Sequence, residues 1–240
     1  YEILRCLVGS EMCIRDRASL SGCKKPIIGV VNAGGNIEMQ GWVPTLKGLI
    51  WAFYGGQEAG TAVGEALFGK INPSGKLPMT FEKKWEDNPA YNSYYDPDGD
   101  KHVAYTEGIF IGYRGYDKLK REVQYPFGYG LSYTTFKLSD LTVSKPNADG
   151  TVEVTCRLAN TGKRDGAQVV QAYVGKTESS PVERPEKELR KFEKVFLQAG
   201  ESTTVKMTLP KESFMYFDVN STQFVTDPGT YNIMLGFSSR

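Results

Sequence analysis

Residues 105–136 read YTEGIFIGYRGYDKLKREVQYPFGYGLSYTTF, a mixture of tyrosine and glycine unlike an ordinary helix or strand. Glycine lets the backbone adopt positive φ and approach other groups closely, and tyrosine adds a flat apolar ring with a polar tip. This composition predicts an ordered loop. The stretch also divides the chain, because helix and strand patterns with glycine turns precede it and alternating β patterns follow it.

The part before this stretch has the pattern of an α/β domain. Residues 27–31, IIGVV, are typical of a buried strand in a mostly parallel sheet, and a second strand is predicted near residues 48–53. Residues 57–68 predict a helix, with Gly69 at its C-cap. The glycine turns after both strands lie at the carboxyl ends, where ligands gather in such sheets. These turns lack the patterns of a dinucleotide or nucleoside triphosphate site.

Short alternating apolar runs separated by turn residues fill the rest of the chain. They are residues 138–143, 152–158, 169–174, 188–197, 203–209, 215–218 and 231–237. Seven strands at this spacing predict an all-β, immunoglobulin-like β-sandwich. Cys156 alternates with Val154 and Leu158 on the apolar face, which predicts a buried free thiol.

The composition argues against several classes of partner and cofactor. With 29 basic and 28 acidic residues, the formal net charge is +1, which gives no electrostatic reason to expect nucleic acid or an anionic membrane. No apolar run approaches the roughly 20 residues that span a bilayer. The four cysteines form no CxxC pair, so neither a zinc site nor a disulfide framework is predicted. We expect no metal and no cofactor.

Two further features suggest metal or catalytic chemistry but have simpler interpretations. Residues 96–100, DPDGD, resemble part of a calcium loop, yet the glutamate expected at its twelfth position is missing, which favours a solvated loop. His102 is the single histidine and has no partner pattern for a metal or a catalytic triad. We interpret it as an exposed loop residue.

Several short motifs follow one another along the chain, at residues 31–35, 54–58, 72–78, 105–109, 112–114, 126–133, 160–162, 184–185, 187–189 and 229–231. In their composition and order they resemble the carboxy-terminal half of the family 3 glycoside hydrolases. The resemblance covers about residues 24–240. It implies that residues 18–136 are a truncated α/β sandwich domain and that residues 137–240 are a fibronectin type III-like domain.

Residues 1–17, YEILRCLVGSEMCIRDR, fall outside this resemblance. The run resembles translated sequencing-adapter sequence, so we interpret it as a non-native lead. A genuine amphipathic lead-in is the alternative. The run lacks the order of a signal peptide, and although the family resemblance favours a periplasmic or secreted protein, the compartment stays open.

The resemblance implies an exo-acting, retaining glycosidase of β-glucosidase or β-xylosidase type that hydrolyses O-glycosyl bonds. Such enzymes use two carboxyl groups about 5–5.5 Å apart. In the family the nucleophilic aspartate lies on a preceding (β/α)8 barrel and the acid/base glutamate lies upstream of residues 27–31. We therefore assign no catalytic residue and expect the chain to be inactive without the barrel, its expected partner. A non-catalytic carbohydrate-binding or scaffold module is the alternative, and an adhesion-type sandwich without sugar affinity is a third.

Part of a sugar-binding wall is predicted to remain in the chain, with an oligosaccharide or glycoside as its ligand. The substrate-binding candidates are Trp42, Glu58, Glu107, Tyr113 and Arg114. Aromatic rings stack on the apolar face of a pyranose, and Glu107 and Arg114 are able to hydrogen-bond hydroxyl groups. Structural roles compete with three of these assignments: Glu58 suits the first turn of the predicted helix, and Glu107 and Arg114 would hold the loop by pairing with each other.

Overall fold

The computed structural model describes residues 2–6, 24–96 and 99–240, and two compact units divide them. The first unit contains the chain up to Ile71 together with Phe81–Glu86, and the second contains Asn72–Thr80 and Asp87–Arg240. The chain thus enters the second unit at Asn72, returns at Phe81 and leaves again at Asp87. The predicted domain boundary between residues 136 and 137 stays a prediction. Residues 1 and 7–17 of the predicted non-native lead lie outside the described residues, as do residues 97 and 98 of the calcium-like loop.

A three-stranded sheet forms the described centre of the first unit. Its strands are β1 (Glu2–Cys6), β2 (Ile27–Val31) and β3 (Gly48–Trp51), in the order β1-β2-β3 and all parallel. The predicted strands at residues 27–31 and near 48–53 are confirmed. Ile27, Val30 and Val31 are buried, as expected for a β-branched run covered on both faces.

Helix α1 (Ala59–Leu67) follows β3 and confirms the helix predicted at residues 57–68. Gly69 has φ of +71°, the left-handed conformation that glycine adopts just beyond a helix. Glu58 occupies the N-cap position, and its side chain makes no capping hydrogen bond. The unit also contains a 3₁₀ turn at Val43–Thr45 and the short strand β4 (Phe81–Glu82), and Phe81 packs edge-on against Trp51 with ring centroids 4.6 Å apart.

The second unit begins with mostly irregular chain. The 3₁₀ turn Trp85–Asp87 leads into it, and the tyrosine-rich stretch contains helix α2 (Tyr113–Lys118) and strand β5 (Val123–Tyr125). The expectation that residues 105–136 are loop throughout was therefore wrong. Burial explains the helix: Tyr116 is fully enclosed, and a Cβ on Gly115 would lie 2.1 Å from the carbonyl oxygen of Phe110.

Eight strands complete the second unit, with a 3₁₀ turn at Lys211–Phe214. They are β6 (Phe136–Val143), β7 (Val152–Asn160), β8 (Gly166–Lys176), β9 (Glu188–Leu197), β10 (Ser202–Leu209), β11 (Met215–Asp218), β12 (Gln223–Thr226) and β13 (Tyr231–Gly236). All seven predicted strands are present, and β12 is an addition. Sheets β10-β7-β6 and β13-β8-β9 are antiparallel, as is the β11-β12 hairpin.

The core of the second unit lies between these strands, because their apolar residues alternate inward. Val154, Cys156 and Leu158 on β7 belong to one buried cluster with Val170 and Ala172 on β8. Cys156 is a buried free thiol, which confirms the prediction. "Mostly parallel" does not describe the chain as a whole, since its described sheets are mostly antiparallel. Strands β6–β13 of the second unit pair antiparallel, as strands joined by short connections can. They outnumber the three parallel strands β1–β3 of the first unit.

Candidate functional site

An exposed aromatic ring stands at the carboxyl edge of the parallel sheet in the first unit. The chain leaves β2 at Val31 and β3 at Trp51, and the two following loops meet where Tyr54 lies over Gly34. A Cβ at position 34 would be 2.7 Å from Cε2 of Tyr54, so this approach requires glycine. Tyr54 is 81% exposed. The arrangement places a flat ring at the edge where ligands bind in α/β sheets.

The two predicted substrate-binding candidates of the first unit, Trp42 and Glu58, differ in how firmly they are held. Trp42 is half-buried, and its Nε1 donates a hydrogen bond of 2.8 Å to the carbonyl oxygen of Glu38. This bond uses the polar atom of the indole, and the ring lies next to Gly29 of β2. Glu58 is exposed at the start of α1, and its carboxylate is therefore in contact with solvent.

Glu107 is held by a serine of its own unit. Ser93 Oγ donates a hydrogen bond of 2.7 Å to Glu107 Oε2, and this bond is the main cause that lowers the pKa of the glutamate. A carboxyl whose pKa is lowered stays ionised at neutral pH and accepts hydrogen bonds. The expected pairing of Glu107 with Arg114 was wrong, because Arg114 pairs instead with Glu188, at 3.5 Å.

Four tyrosines lie close to Ser93 and Glu107 in the sequence, and their rings are exposed to solvent. They are Tyr91, Tyr94, Tyr95 and Tyr105. The rings of Tyr94 and Tyr95 pack edge to face, with centroids 4.9 Å apart. A segment that carries both exposed aromatic rings and an ionised carboxylate offers stacking surfaces and a hydrogen-bond acceptor, which is the chemistry that a sugar ring requires.

Tyr113 lies at the first position of α2 and is fixed on three sides. Its hydroxyl oxygen accepts a hydrogen bond of 2.8 Å from the Leu189 amide. Its ring stacks on Phe127 at 5.0 Å and meets Tyr173 edge-on at 6.0 Å. Burial raises the pKa of Tyr113, so the hydroxyl keeps its proton at neutral pH. These contacts give Tyr113 a structural role in joining α2 to β8 and β9.

Arg114 belongs to a network of charges around Glu188. Glu188 Oε1 faces Arg114, and Glu188 Oε2 contacts Arg190 at 2.7 Å and Arg184 at 3.9 Å. All four side chains are at most about a quarter exposed. The Glu188 carboxylate is therefore the shared counter-ion of three guanidinium groups.

The residues that the structure describes show neither a metal cluster nor a membrane-spanning helix. No group of three or more His, Cys, Asp or Glu side chains among them is arranged to hold a metal ion. In the calcium-like loop, the Asp96 carboxylate accepts hydrogen bonds from the Gly99 and Lys101 amides, which turns its oxygens toward the backbone. No helix in the described ranges is long and apolar enough to cross a bilayer.

Comparison with known proteins shows what these features belong to. The family model described as "Glycosyl hydrolase family 3 C-terminal domain" matches residues 17–113, and the "Fibronectin type III-like domain" model matches residues 168–239. The chain belongs to glycosyl hydrolase family 3. It corresponds to the carboxy-terminal portion of the family, as the order of its motifs predicted.

Individual family 3 proteins match over most of this chain. Thermostable beta-glucosidase B of Acetivibrio thermocellus is 43% identical over 89% of the chain and 28% of its own length. An exo-alpha-(1->6)-L-arabinopyranosidase of Bifidobacterium longum is 38% identical over 92% of the chain and 29% of its own length. The crystal structure of a GH3 beta-glucosidase of Bifidobacterium adolescentis superposes with a TM-score of 0.84 at 38% identity, covering 89% of this chain and 31% of that one. The chain spans less than a third of these relatives.

Two of the five predicted substrate-binding residues, Tyr113 and Arg114, lie together on α2, and Arg114 faces Glu188. Glu107 precedes them in the same unit with Ser93 as its partner, whereas Trp42 and Glu58 belong to the first unit. Sequence reasoning missed three groups that shape these surroundings: Ser93, Glu188 and Arg190. Glu188 lies within the quoted 187–189 motif, so a signal was present for it. Ser93 has no such signal. The sugar-binding roles of all five candidates stay predictions.

Proposed function

We propose that this chain is the carboxy-terminal portion of an exo-acting, retaining glycoside hydrolase of β-glucosidase or β-xylosidase type. The observation that carries the proposal is the similarity to beta-glucosidases across about nine-tenths of the chain, at 43% identity in sequence and a TM-score of 0.84 in structure. The whole protein would hydrolyse O-glycosyl bonds at the non-reducing end of a glycoside or oligosaccharide.

The proposal assigns the two catalytic carboxyl groups to residues outside this chain. The family resemblance places the nucleophilic aspartate on a (β/α)8 barrel and the acid/base glutamate before residues 27–31. The chain alone is then inactive, and the barrel is its partner. In this arrangement residues 1–17 are a non-native lead, residues 18–136 are a truncated α/β sandwich domain and residues 137–240 are a fibronectin type III-like β-sandwich.

In the whole enzyme, this portion would contribute part of the wall around the sugar. Glu107 is the best supported of the candidates, because its ionised carboxylate is oriented by Ser93 and belongs to a segment with several exposed tyrosines. Trp42 would offer its ring and Glu58 its solvent-exposed carboxylate. Tyr113 and Arg114 would act mainly by holding α2 in place, since both contact residues 188–189.

A chimera tests the proposed activity. Residues 24–240 would replace the matching segment of Acetivibrio thermocellus beta-glucosidase B, and p-nitrophenyl β-D-glucoside and β-D-xyloside would serve as substrates. We expect the chimera to hydrolyse at least one of them and the 240-residue chain alone to hydrolyse neither. Proton NMR of the first product should show the β-anomer, because a double displacement retains configuration.

Two controls make this test decisive. The relative with its own segment deleted shows whether activity needs the carboxy-terminal portion, and circular dichroism shows whether the chimera is folded. A folded chimera without turnover of either glycoside would refute the hydrolase proposal. Turnover by the 240-residue chain alone would refute the assignment of the catalytic carboxyl groups.

The exposed tyrosines within residues 91–105 favour one alternative to the hydrolase, a non-catalytic carbohydrate-binding module. That function predicts saturable binding of cellooligosaccharides to the chain alone, measured by titration calorimetry. Replacement of Tyr94 and Tyr95 with alanine would abolish the binding, and an inactive chimera combined with such binding would favour the module over the hydrolase.

A further inference from the structure

The charges around Glu188 and Asp227 in the second unit are not balanced. Lys176 and Arg184 contact Asp227, at 3.1 and 3.6 Å, and Arg184 also faces Glu188. With Arg114 and Arg190, four cations share two carboxylates. Lys176 is 2% exposed, and Arg184 and Asp227 are also buried. An excess of positive charge in a partly buried place is costly unless further acceptors satisfy it.

Two of the four cations have those acceptors. Arg184 donates hydrogen bonds to the Met215 carbonyl at 3.2 Å and to the Tyr231 hydroxyl at 3.3 Å. Lys176 donates to the Pro228 carbonyl at 2.5 Å. These bonds use protein oxygens in addition to Asp227, so the Lys176–Arg184 side of the network is satisfied.

Arg114 and Arg190, the other two cations, keep N–H groups that no acceptor among the described residues uses. Among the described residues, Arg114 contacts an acceptor only at Glu188, and its 3.5 Å separation is longer than a good hydrogen bond. Arg190 Nε is buried and finds no hydrogen-bond partner in the described part of the chain, although its Nη2 binds Glu188. Both side chains are about a quarter exposed, so each is partly open to solvent, although Arg190 Nε itself is buried.

Tyr113 supplies a third donor beside them. Its oxygen accepts the Leu189 amide, and no described residue accepts its own hydrogen. Burial raises its pKa, so the proton stays on the oxygen through neutral pH. Tyr113 and Arg114 are consecutive on α2, while Leu189 and Arg190 are consecutive on β9, so the spare donors lie on two adjoining elements.

We propose that Arg114, Arg190 and Tyr113 form a binding site for a small oxyanion, with a phosphate or carboxylate group as its ligand. Planar guanidinium groups bind such anions through paired N–H donors. Glu188 orients the two arginines by holding one with each of its oxygens. A neutral hydroxyl group would fill a donor but leave the excess of positive charge, which is why the site selects an anion.

Titration calorimetry on the 240-residue chain tests the site, with potassium phosphate, sulfate and acetate as probes. Chloride holds the ionic strength constant, because general screening otherwise mimics specific binding. We expect saturable binding, with the phosphate and acetate results deciding between a tetrahedral anion and a carboxylate. Arg114→Gln and Arg190→Gln should each raise Kd at least about tenfold, since each removes a charge-assisted contact.

Arg157→Gln is the matched control. Arg157 is an exposed arginine of the same unit whose guanidinium bonds Ser202 Oγ, at 2.8 Å, and its loss should leave Kd unchanged. The absence of saturable binding to the wild-type chain would overturn the proposal. Equal weakening by Arg157→Gln and Arg114→Gln would overturn it too, because the binding would then follow net charge.

A measurement on the unaltered chain keeps the test valid if a variant fails to fold. Phenylglyoxal modifies accessible arginines, and peptide mass spectrometry identifies which ones react. Saturating phosphate should slow the modification of Arg114 and Arg190 several-fold and leave that of Arg157 unchanged. Uniform slowing, or none, would contradict the site.

Discussion

Asn160, at the end of β7, offers the sharpest test of how the second unit is held together. The side chain is 1% exposed and makes four hydrogen bonds. Its Oδ1 accepts from the Thr134 hydroxyl at 2.7 Å and the Gly162 amide at 3.1 Å, and its Nδ2 donates to the carbonyls of Arg164 and Leu197 at 2.8 and 3.2 Å. Asn160→Ala removes all four bonds at once.

The magnitude follows from how deeply each bond is buried. The bonds to Thr134 and Leu197 are fully buried, so their unpaired partners each cost ~1–2 kcal/mol. The bonds to Gly162 and Arg164 are partly buried, where water replaces the amide and the loss is ~0.5 kcal/mol each. Asn160→Ala should therefore lower the free energy of unfolding by about 3–5 kcal/mol. Asn160→Asp should cost at least as much, because it turns an oxygen toward two carbonyl oxygens.

Two probes separate the unfolding of the two units. Trp42, Trp51 and Trp85 are the three tryptophans of the chain and all belong to the first unit, so their fluorescence follows that unit. Cys156 lies in the core of the second unit at 2% exposure. Pulsed alkylation in urea, with mass spectrometry of the peptide that contains Cys156, then measures the opening of the second unit.

Asn147→Asp provides the control. Asn147 is exposed and bonds Thr151 Oγ1 at 2.9 Å, so this change should stay within about 0.5 kcal/mol of the wild type. If Asn160→Ala shifts the alkylation midpoint no further than Asn147→Asp does, the four bonds do not stabilise the unit and the reasoning fails. A shift in tryptophan fluorescence without one in Cys156 alkylation would be equally contrary.

Three further predictions follow from the same structure. Gly130→Ala should destabilise the second unit by ~1–3 kcal/mol in the alkylation assay, because its Cβ would lie 2.3 Å from the Gly75 carbonyl oxygen, whereas Gly75→Ala, with nothing within 4 Å, should be nearly neutral. Burial lowers the pKa of Lys76 from 10.5 to about 8. Between pH 8 and 10.5, Lys76 is therefore protonated in the unfolded chain and largely neutral in the folded chain. The stability of wild type relative to Lys76→Met should therefore rise with pH from about 8 to 10.5, and a fall in urea midpoint relative to the variant would disprove it. Glu107→Gln in the active chimera should raise KM clearly, with little loss of folding stability. A large fall in melting temperature with unchanged kinetics would exclude a place for Glu107 in the sugar wall.

The strands of the second unit were predictable because burial on one face imposes alternation. In β7, Val154, Cys156 and Leu158 all point into the core, and the same pattern marks the other strands of the two sheets. β12 escaped prediction for the opposite reason: its four residues are mostly exposed and pair only with β11. A short exposed hairpin strand carries no alternating signal.

The failures at the candidate site have a different cause. Helix α2 forms because tertiary contacts enclose Tyr116 and Gly115, although tyrosine and glycine have modest or poor helix propensity. Arg114 and Glu188 are 74 positions apart, so nothing local relates them, and the nearer Glu107 was the plausible partner by sequence. Residue types near the site were thus predictable, but their pairing depends on how distant segments fold together.

The repeated passage of the chain between its two units matters to anyone who wants to cut the gene. Residues 72–80 belong to the second unit although residues 81–86 return to the first. Asn72 donates to the Asp165 carbonyl and accepts from Ser132 and Tyr133, while the Gln171 amide reaches the Gly128 carbonyl. A product that begins at residue 137 would lose every one of these bonds. Since one break between residues 71 and 137 cannot separate interleaved segments, exchange between family members is best made with residues 24–240 moved together.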